Sequence, residues 1–307
     1  MTGYEGLRKS AAWLDLSARG KIRATGEDRA RLLHAMSTNS VSDLPAGQSV
    51  YAFFLTAQGR ILADANIINT GDALWLDTEP EVANKLRDHL EKYIIADDVE
   101  LEDKTTDWIE IAIEGPESVG RAKRCGWPVP EGKNSIENWH SGFVLRVSST
   151  GSDGLRAFLP ASERNVLQLL DTPEATADEA RLVRLENGIP RYGEDITERY
   201  LTQETQQLHA VHSNKGCYLG QEIVERVRSR GQVHRLLTPV RVLSQAALPA
   251  GTKLVANGKD YGEITSSVYS PALGEVVGLA YIRTEAAHSK PEMKVAGGEP
   301  SVLAFIR

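Results

Sequence analysis

Cysteine is scarce in this chain: only Cys125 and Cys217 occur among 307 residues. Two cysteines are too few for a disulfide framework, which favours a reduced, cytoplasmic setting. Residues 1–16 contain no apolar core of the secretory type, and no apolar run approaches the ~20 residues that a membrane span needs. We therefore expect a cytoplasmic protein that does not enter a membrane.

Several catalytic and nucleotide-binding motifs are missing. The chain has no GxGxxG, no GxxxxGK[ST] and no GxSxG, so nothing predicts a dinucleotide site, a P-loop or a serine hydrolase elbow. His209, His212 and Cys217 are close in sequence but lack the spacing of a metal motif. We therefore predict no metal site.

Positive charge is in deficit, because 35 Lys and Arg residues face 42 Asp and Glu residues and the net charge is −7. This balance argues against broad binding to DNA or RNA. The densest basic stretch contains Lys215, Arg226, Arg228, Arg230 and Arg235. Such a stretch suits a small anionic ligand, and a solvated helix face is the alternative.

Short strands and helices alternate along most of the chain, which indicates an α+β fold. Strands are predicted at 21–25, 50–55, 59–68, 73–76, 108–113, 143–147 and 155–159. Helices are predicted from residue 28 to 36, from 80 to 93, and at 163–170, 178–186 and 221–230.

The last part of the chain has a different pattern, with strand-like pieces at 253–255, 262–269, 276–282 and 302–306. Short strands separated by turns indicate a small β-barrel. We predict a first region of two α+β modules at residues 1–236 and a barrel domain at residues 237–307.

The most informative stretch is the octapeptide KGCYLGQE at residues 215–222. Its glycines favour a tight turn, and the charge order of residues 221–230 fits a helix dipole. Lys215 and the N-terminus of this helix both favour the thiolate of Cys217. A reactive thiol and a cysteine that packs as a small hydrophobe are the two open alternatives.

A second stretch, LENGIPRYGEDI at residues 185–196, follows a predicted helix. Glu186 ends that helix. Its carboxylate could lie at the surface, or it could accept two hydrogen bonds from a ring with adjacent N–H donors.

These stretches carry a family resemblance. Residues 215–222 resemble the signature of the YgfZ-type folate-binding proteins, which are relatives of the glycine-cleavage T-protein. Residues 185–196 resemble the T-protein segment with the pterin-binding glutamate. Residues 25–48 and 262–281 are similar to the N-terminal pattern and the C-terminal barrel of T-proteins, so the resemblance covers nearly the whole chain in order.

The resemblance implies a T-protein-like fold, with ferredoxin-like α/β layers around a central opening and a C-terminal β-barrel. It implies binding of tetrahydrofolate or another reduced folate. It also implies a role in assembling or maintaining iron–sulfur proteins, including enzymes that modify tRNA. The expected partners are these proteins or their assembly factors, with no direct DNA binding.

The resemblance also assigns site residues. Glu186 would hold the pterin ring, with Tyr192, Arg226 and Arg235 as further cofactor contacts. Lys215 and Cys217 would be the functional, catalytic pair. The other signature residues are Gly216, Tyr218, Gly220, Gln221 and Glu222.

One departure from the T-protein pattern concerns the catalytic aspartate. T-proteins carry it after a strand, whereas here Asn84 falls nearest to the matching place. An amide cannot act as a carboxylate base. We therefore favour the iron–sulfur accessory role, and a folate-dependent aminomethyltransferase or methyltransferase is the alternative.

Overall fold

The computed structural model describes residues 1–231, 233–289, 291–296 and 301–303. Its strands form two five-stranded sheets and one closed barrel, and every pair of neighbouring strands is antiparallel. Helices cover the outer side of the first sheet and join the sheets to the barrel.

The strands are β1 (Ala12–Asp15), β2 (Gly20–Thr25), β3 (Gln48–Leu55), β4 (Ile61–Asn69), β5 (Leu74–Thr78), β6 (Glu100–Asp103), β7 (Trp108–Glu114), β8 (Ile136–Trp139), β9 (Gly142–Leu145), β10 (Gly154–Pro160), β11 (Arg235–Val242), β12 (Lys253–Ala256), β13 (Lys259–Ser270), β14 (Glu275–Arg283), β15 (Met293–Val295) and β16 (Ser301–Leu303). The α-helices are α1 (Gly3–Lys9), α2 (Arg29–Met36), α3 (Ala83–Glu91), α4 (Ser118–Arg124), α5 (Ala177–Glu186), α6 (Gln221–Arg230) and α7 (Thr284–Ser289). Short 3₁₀ segments are Pro80–Val82, Ala161–Leu169, Thr202–Thr205 and Leu208–Ala210.

The first sheet has the strand order β3–β4–β5–β2–β6. Side chains alternate between the two faces of a strand. Ile67 of β4 therefore lies in the core with Leu33 of α2 and Leu86 of α3. The same alternation places Asp64 and Asn66 of β4 on the opposite face, which turns toward the second sheet.

The second sheet has the order β1–β7–β10–β9–β8 and packs against that face. One half of the contact is aromatic: Trp75 of the first sheet lies 4.5 Å from Trp108 of the second, between ring centroids. Phe143 and Phe158 stack beside them at 4.9 Å. The other half of the contact consists of charged groups.

The barrel has the order β11–β14–β13–β12–β15–β16 and closes on itself. Its core includes Val240, Ile264 and Ile282. β13 and β14 lie so close that a Cβ at Gly278 would be 2.3 Å from the Ser266 carbonyl oxygen. β11 begins at Arg235, so the boundary predicted after residue 236 falls inside this strand.

The α+β fold with a barrel of C-terminal strands is confirmed, and two helix predictions are corrected. In place of the helix predicted at 163–170, residues Ala161–Leu169 form 3₁₀ turns with a kink at Glu163, and Leu170 is extended. The helix after Pro80 ends at Glu91, so Tyr93 lies beyond it. α1, α4, α7 and the strands β1, β6, β8 and β15 are too short to give a clear sequence pattern.

The strand predicted at 302–306 is present as β16, while residues 304–306 lie outside the described residues. Within the described ranges, no helix has the length and apolar character needed to cross a bilayer.

Candidate functional site

Residues 215–220 form an irregular loop before α6, here called the signature loop. The Lys215 ammonium donates to carbonyl oxygens at the end of α2. The acceptors are His34, Ser37 at 2.7 Å and Asn39 at 2.8 Å. Carbonyls at a helix C-terminus lack helical partners. Lys215 therefore fixes the signature loop to the end of α2.

Two opposing effects act on the Lys215 ammonium. Burial lowers the pKa of Lys215 to about 7, because the charged form loses solvation. The carbonyl acceptors and the Tyr218 ring, 5.0 Å from Nζ, favour the charged form. The three N–H donors of the ammonium group point to the carbonyl oxygens at the end of α2. A catalytic role of Lys215 beside Cys217 stays a prediction.

Cys217 is exposed on the outside of the signature loop. Its neighbour Tyr218 is buried, and the Leu219 N–H donates to the Ala35 carbonyl at 3.0 Å. The loop is thus held on both sides of an accessible thiol. This geometry excludes the alternative in which Cys217 packs as a small hydrophobe.

Two glycines let the β3–β4 turn pack directly on the start of α6. Gly220 has φ +82°, and a Cβ there would lie 2.7 Å from the Thr56 carbonyl oxygen. Gly59 has φ +71°, and a Cβ there would meet Ile223 of α6 at 2.7 Å. Any side chain at either position would push the signature loop away from the sheet.

α6 starts and ends where the sequence predicts. The Gln221 N–H donates to the Tyr218 carbonyl at 3.1 Å, and Gly231 ends the helix with φ +62°. Glu222 and Arg226 are exposed on this helix. Neither contacts another side chain through a hydrogen bond in the described part of the chain, so both are accessible to a ligand.

Arg235 belongs to the barrel and has its own partners. Its Nε donates to Glu204 at 2.8 Å, and the guanidinium lies 4.8 Å from the centroid of the Tyr200 ring. The side chain of Arg230 lies outside the described residues. The predicted cationic residues therefore occupy separate local surroundings, and their roles as folate contacts stay predictions.

Glu186 lies at the junction of α1, α5 and β13. Its Oε1 accepts from the Tyr4 hydroxyl at 2.6 Å and from the Ser270 hydroxyl at 2.5 Å. Its Oε2 lies 2.7 Å from Nε of Arg8. The side chain is 6% exposed, so this carboxylate is not a surface group.

The segment after Glu186 joins the first sheet to the barrel. The buried Tyr192 hydroxyl donates to the carbonyls of Ile61 at 3.1 Å and Leu62 at 2.5 Å, at the start of β4. Asp195, fully buried, accepts from Thr265 of the barrel at 2.6 Å. Tyr192 thus has a structural partner, and its contact with folate stays a prediction.

A charged cluster between the two sheets is a feature that the motifs do not predict. Arg156 of β10 donates to Asp77 of β5 at 2.9 Å and to Glu110 of β7 at 3.1 Å. Burial alone would raise the pKa of Asp77, but Arg19 and Arg156 hold it below its usual value. Burial and the nearby Asp77 raise the pKa of Glu110 to about 7. Acidic residues at inward strand positions are the only sequence signal for this cluster.

A half-buried tyrosine and a buried carboxylate form a pair beside this cluster. The Tyr51 hydroxyl donates to Asp64 at 2.6 Å, and Asp64 is 8% exposed. Burial and the nearby Glu79 raise the pKa of Asp64 to about 7. The Tyr51 ring stacks on His209, with centroids 5.4 Å apart.

An open groove of about 640 Å³ runs beside the signature loop. Its lining includes Asn39, Asp43, Gln48, Val50 and His212. The carbonyl of Asn39 also accepts from the Lys215 ammonium, so groove and loop share a wall. Among the described residues, no group of three His, Cys, Asp or Glu side chains could hold a metal ion.

Two sheets joined to a closed barrel define a T-protein-like fold, and comparisons with known proteins agree. Residues 3–125 match the GCVT N-terminal domain, and residues 213–302 match the glycine cleavage T-protein C-terminal barrel domain. The glycine cleavage system aminomethyltransferase T of Bartonella henselae superposes with a TM-score of 0.91 at 21% identity. That superposition covers 99% of this chain and 87% of the Bartonella chain.

Proteins with similar sequences support the same family assignment. An aminomethyltransferase of Rubrobacter xylanophilus is 30% identical over 92% of this chain and 78% of its own length. A putative chloroplastic transferase of Arabidopsis thaliana is 27% identical, over 89% of this chain and 66% of its own length. The chain belongs to the glycine cleavage T-protein family.

Proposed function

We propose that this protein binds a reduced folate and transfers a one-carbon unit, as a folate-dependent aminomethyltransferase or methyltransferase of T-protein type. Relatives named aminomethyltransferase favour this alternative over the accessory role that the octapeptide suggests. The observation that carries the proposal is the buried Glu186 carboxylate at the meeting point of α1, α5 and the barrel. The sequence resemblance assigns this residue the role of the pterin-binding glutamate.

The hydrogen bonds of Glu186 allow a pterin contact with one restriction. A carboxylate oxygen accepts two hydrogen bonds. Among the described residues, Oε1 has two donors, Tyr4 and Ser270, whereas Oε2 has one, Arg8. One N–H of an aminopteridine therefore fits at Oε2, and a two-point contact requires Tyr4 or Ser270 to turn away.

Tetrahydrofolate, when bound, supplies the nitrogen that takes up the one-carbon unit. Protein groups must hold the pterin and accept the proton that this nitrogen loses. Asn84 does not supply the base, because it is an exposed amide on α3. The proton acceptor must lie elsewhere in the fold.

An assay of transfer tests the proposal. The protein is incubated with tetrahydrofolate and an aminomethyl-lipoyl donor, and ammonia and methylene-tetrahydrofolate are measured. We expect both products in equal amounts, and neither when the folate is omitted. Folate binding without product formation would contradict the transferase function.

The exposed thiol of Cys217 favours a second candidate, an accessory role toward iron–sulfur proteins. A thiol held outward on a fixed loop is accessible to a protein partner. In cells that lack the native protein, Cys217→Ala should then fail to restore a tRNA-thiolating iron–sulfur enzyme, whereas the wild type restores it. Full restoration by the variant would remove the thiol from this function.

A further inference from the structure

Tyr51 and Asp64 are diagonal neighbours on β3 and β4. Asp64 pairs with Phe53 across the two strands, and Tyr51 pairs with Asn66. Both side chains therefore lie on the face that turns toward the second sheet. The Tyr51 hydroxyl donates to Oδ2 of Asp64 at 2.6 Å, which fixes the orientation of the carboxyl group.

The second oxygen of this carboxyl group is available. In the described part of the chain, Oδ1 of Asp64 accepts no hydrogen bond. This oxygen keeps some solvent-accessible surface. The residue keeps 8% of its surface exposed. Asp64 is thus nearly buried, oriented through one oxygen and open through the other.

The surrounding charges suit proton transfer. Burial, Glu79 of the segment after β5 and Asp77 of β5 disfavour the ionised carboxylate, whereas Tyr51 and Arg19, which precedes β2, favour it. The balance raises the pKa of Asp64 to about 7. A general base is most effective when its pKa lies near the working pH.

Two contacts tie Asp64 to the rest of the site. Tyr192, from the segment that follows Glu186, donates to the carbonyls of Ile61 and Leu62, just before Asp64 on β4. On the other side, Tyr51 stacks on His209, whose segment leads into the signature loop. The start of β4, shortly before Asp64, therefore contacts the stretch at 185–196, and Tyr51 contacts the segment that precedes the signature loop.

We propose that Asp64, held in place by Tyr51, is the proton acceptor of the one-carbon transfer, in the role that Asn84 cannot fill. This inference rests on the proposed function. Asp64 acts on the folate directly, and Tyr51 is a positioning residue.

The one-carbon donor in the proposed reaction is an aminomethyl thioether. The folate N–H nitrogen attacks the methylene carbon, and a new C–N bond forms. The bond from that carbon to the donor ammonium breaks, and ammonia leaves with its electron pair. The proton of the folate nitrogen passes to the Asp64 carboxylate, which becomes a neutral carboxylic acid. The second folate N–H nitrogen then attacks the same carbon, the carbon–sulfur bond breaks, and the sulfur leaves as a thiolate that takes up the proton of this nitrogen. Asp64 returns its proton to the released ammonia, so the products are methylene-tetrahydrofolate, the free thiol and ammonium.

The test compares Asp64→Asn, Tyr51→Phe and wild type in folate binding and in the pH profile of kcat. Asp88→Asn, an exposed aspartate on α3, is the control. We expect Asp64→Asn to bind tetrahydrofolate within about threefold of wild type. Its kcat should fall by ~100-fold or more, the range that general-base groups contribute, and lose the rise through pH 7.

Tyr51→Phe gives a second readout that a merely structural role would not produce. Removing this hydrogen bond should raise the pKa of Asp64, so the rise of kcat should move to higher pH while its plateau survives. Full turnover by Asp64→Asn with an unchanged pH profile overturns this inference and leaves the proposed function standing. Absence of folate-dependent turnover in the wild type overturns the proposed function, and this inference falls with it.

Discussion

The Lys215 ammonium donates to the Ser37 carbonyl at 2.7 Å, although 178 positions separate the two residues. The lysine of the signature loop therefore closes the C-terminal end of α2, and the orientation of the loop depends on this contact. The exposed thiol of Cys217 lies on a loop that is fixed through its lysine.

Lys215→Met should destabilise the fold, because it leaves carbonyl oxygens at the end of α2 without donors. Losing the partner of a buried polar group costs about 1–3 kcal/mol, and several carbonyls share this donor. Urea denaturation measures the change in free energy of unfolding. The matched control is Lys133→Met at an exposed position, which should stay within about 0.5 kcal/mol of wild type. Equal effects of the two changes would contradict the capping role.

The two cysteines should differ in reactivity toward a thiol reagent. Cys217 is exposed, whereas Cys125 is buried and burial raises the pKa of Cys125. The native protein should react rapidly at one thiol and the denatured protein at both. In Cys217→Ser the rapid phase should vanish. Two rapid thiols in the native protein would show that Cys125 is accessible.

Arg156→Met should destabilise the protein strongly, because the buried Glu110 loses its hydrogen-bonded cation and Asp77 keeps only Arg19 of the two guanidinium groups described beside it. Removing one member of a buried ion pair costs about 3–5 kcal/mol. Thermal and chemical denaturation should both report the loss. Arg226→Met, on the exposed side of α6, is the control and should change stability little. A loss below about 1 kcal/mol for Arg156→Met would mean that the cluster is open to solvent.

The stability of Asp64→Asn relative to wild type should rise with pH. The pKa of Asp64 is raised from 3.8 to about 7 by burial and Glu79, so the folded state favours the protonated form. The wild type therefore loses stability as pH rises toward 7, and the amide does not. Between pH 5 and pH 8 the difference should grow by roughly 2–3 kcal/mol in favour of the variant. Denaturation across this range measures it, and a difference that does not vary with pH would contradict the raised pKa.

Local elements near the signature loop follow from the sequence. The charge order of residues 221–230 and Gly231 predict α6, and this helix spans Gln221–Arg230 in the structure. Glycines and charge order affect the backbone within a few residues, so the start and end of a helix can be predicted from the local sequence.

Contacts between distant segments do not follow from such patterns. The partners of Lys215 lie in the last turn of α2 and just after it, and the partners of Glu186 belong to α1 and the barrel. Only packing of the whole chain brings these groups together. The inward acidic residues Asp64 and Asp77 break the apolar pattern of their strands, which indicates an unusual position without naming its partner.

A titration of tetrahydrofolate against wild type and Glu186→Gln tests the central claim most directly. The control is Glu137→Gln, an exposed glutamate on β8. We predict saturable binding by wild type and control, and at least about tenfold weaker binding by Glu186→Gln, which corresponds to roughly 1.4 kcal/mol. Equal affinity of all three proteins would remove Glu186 from the folate site, and no binding by wild type would contradict the account as a whole.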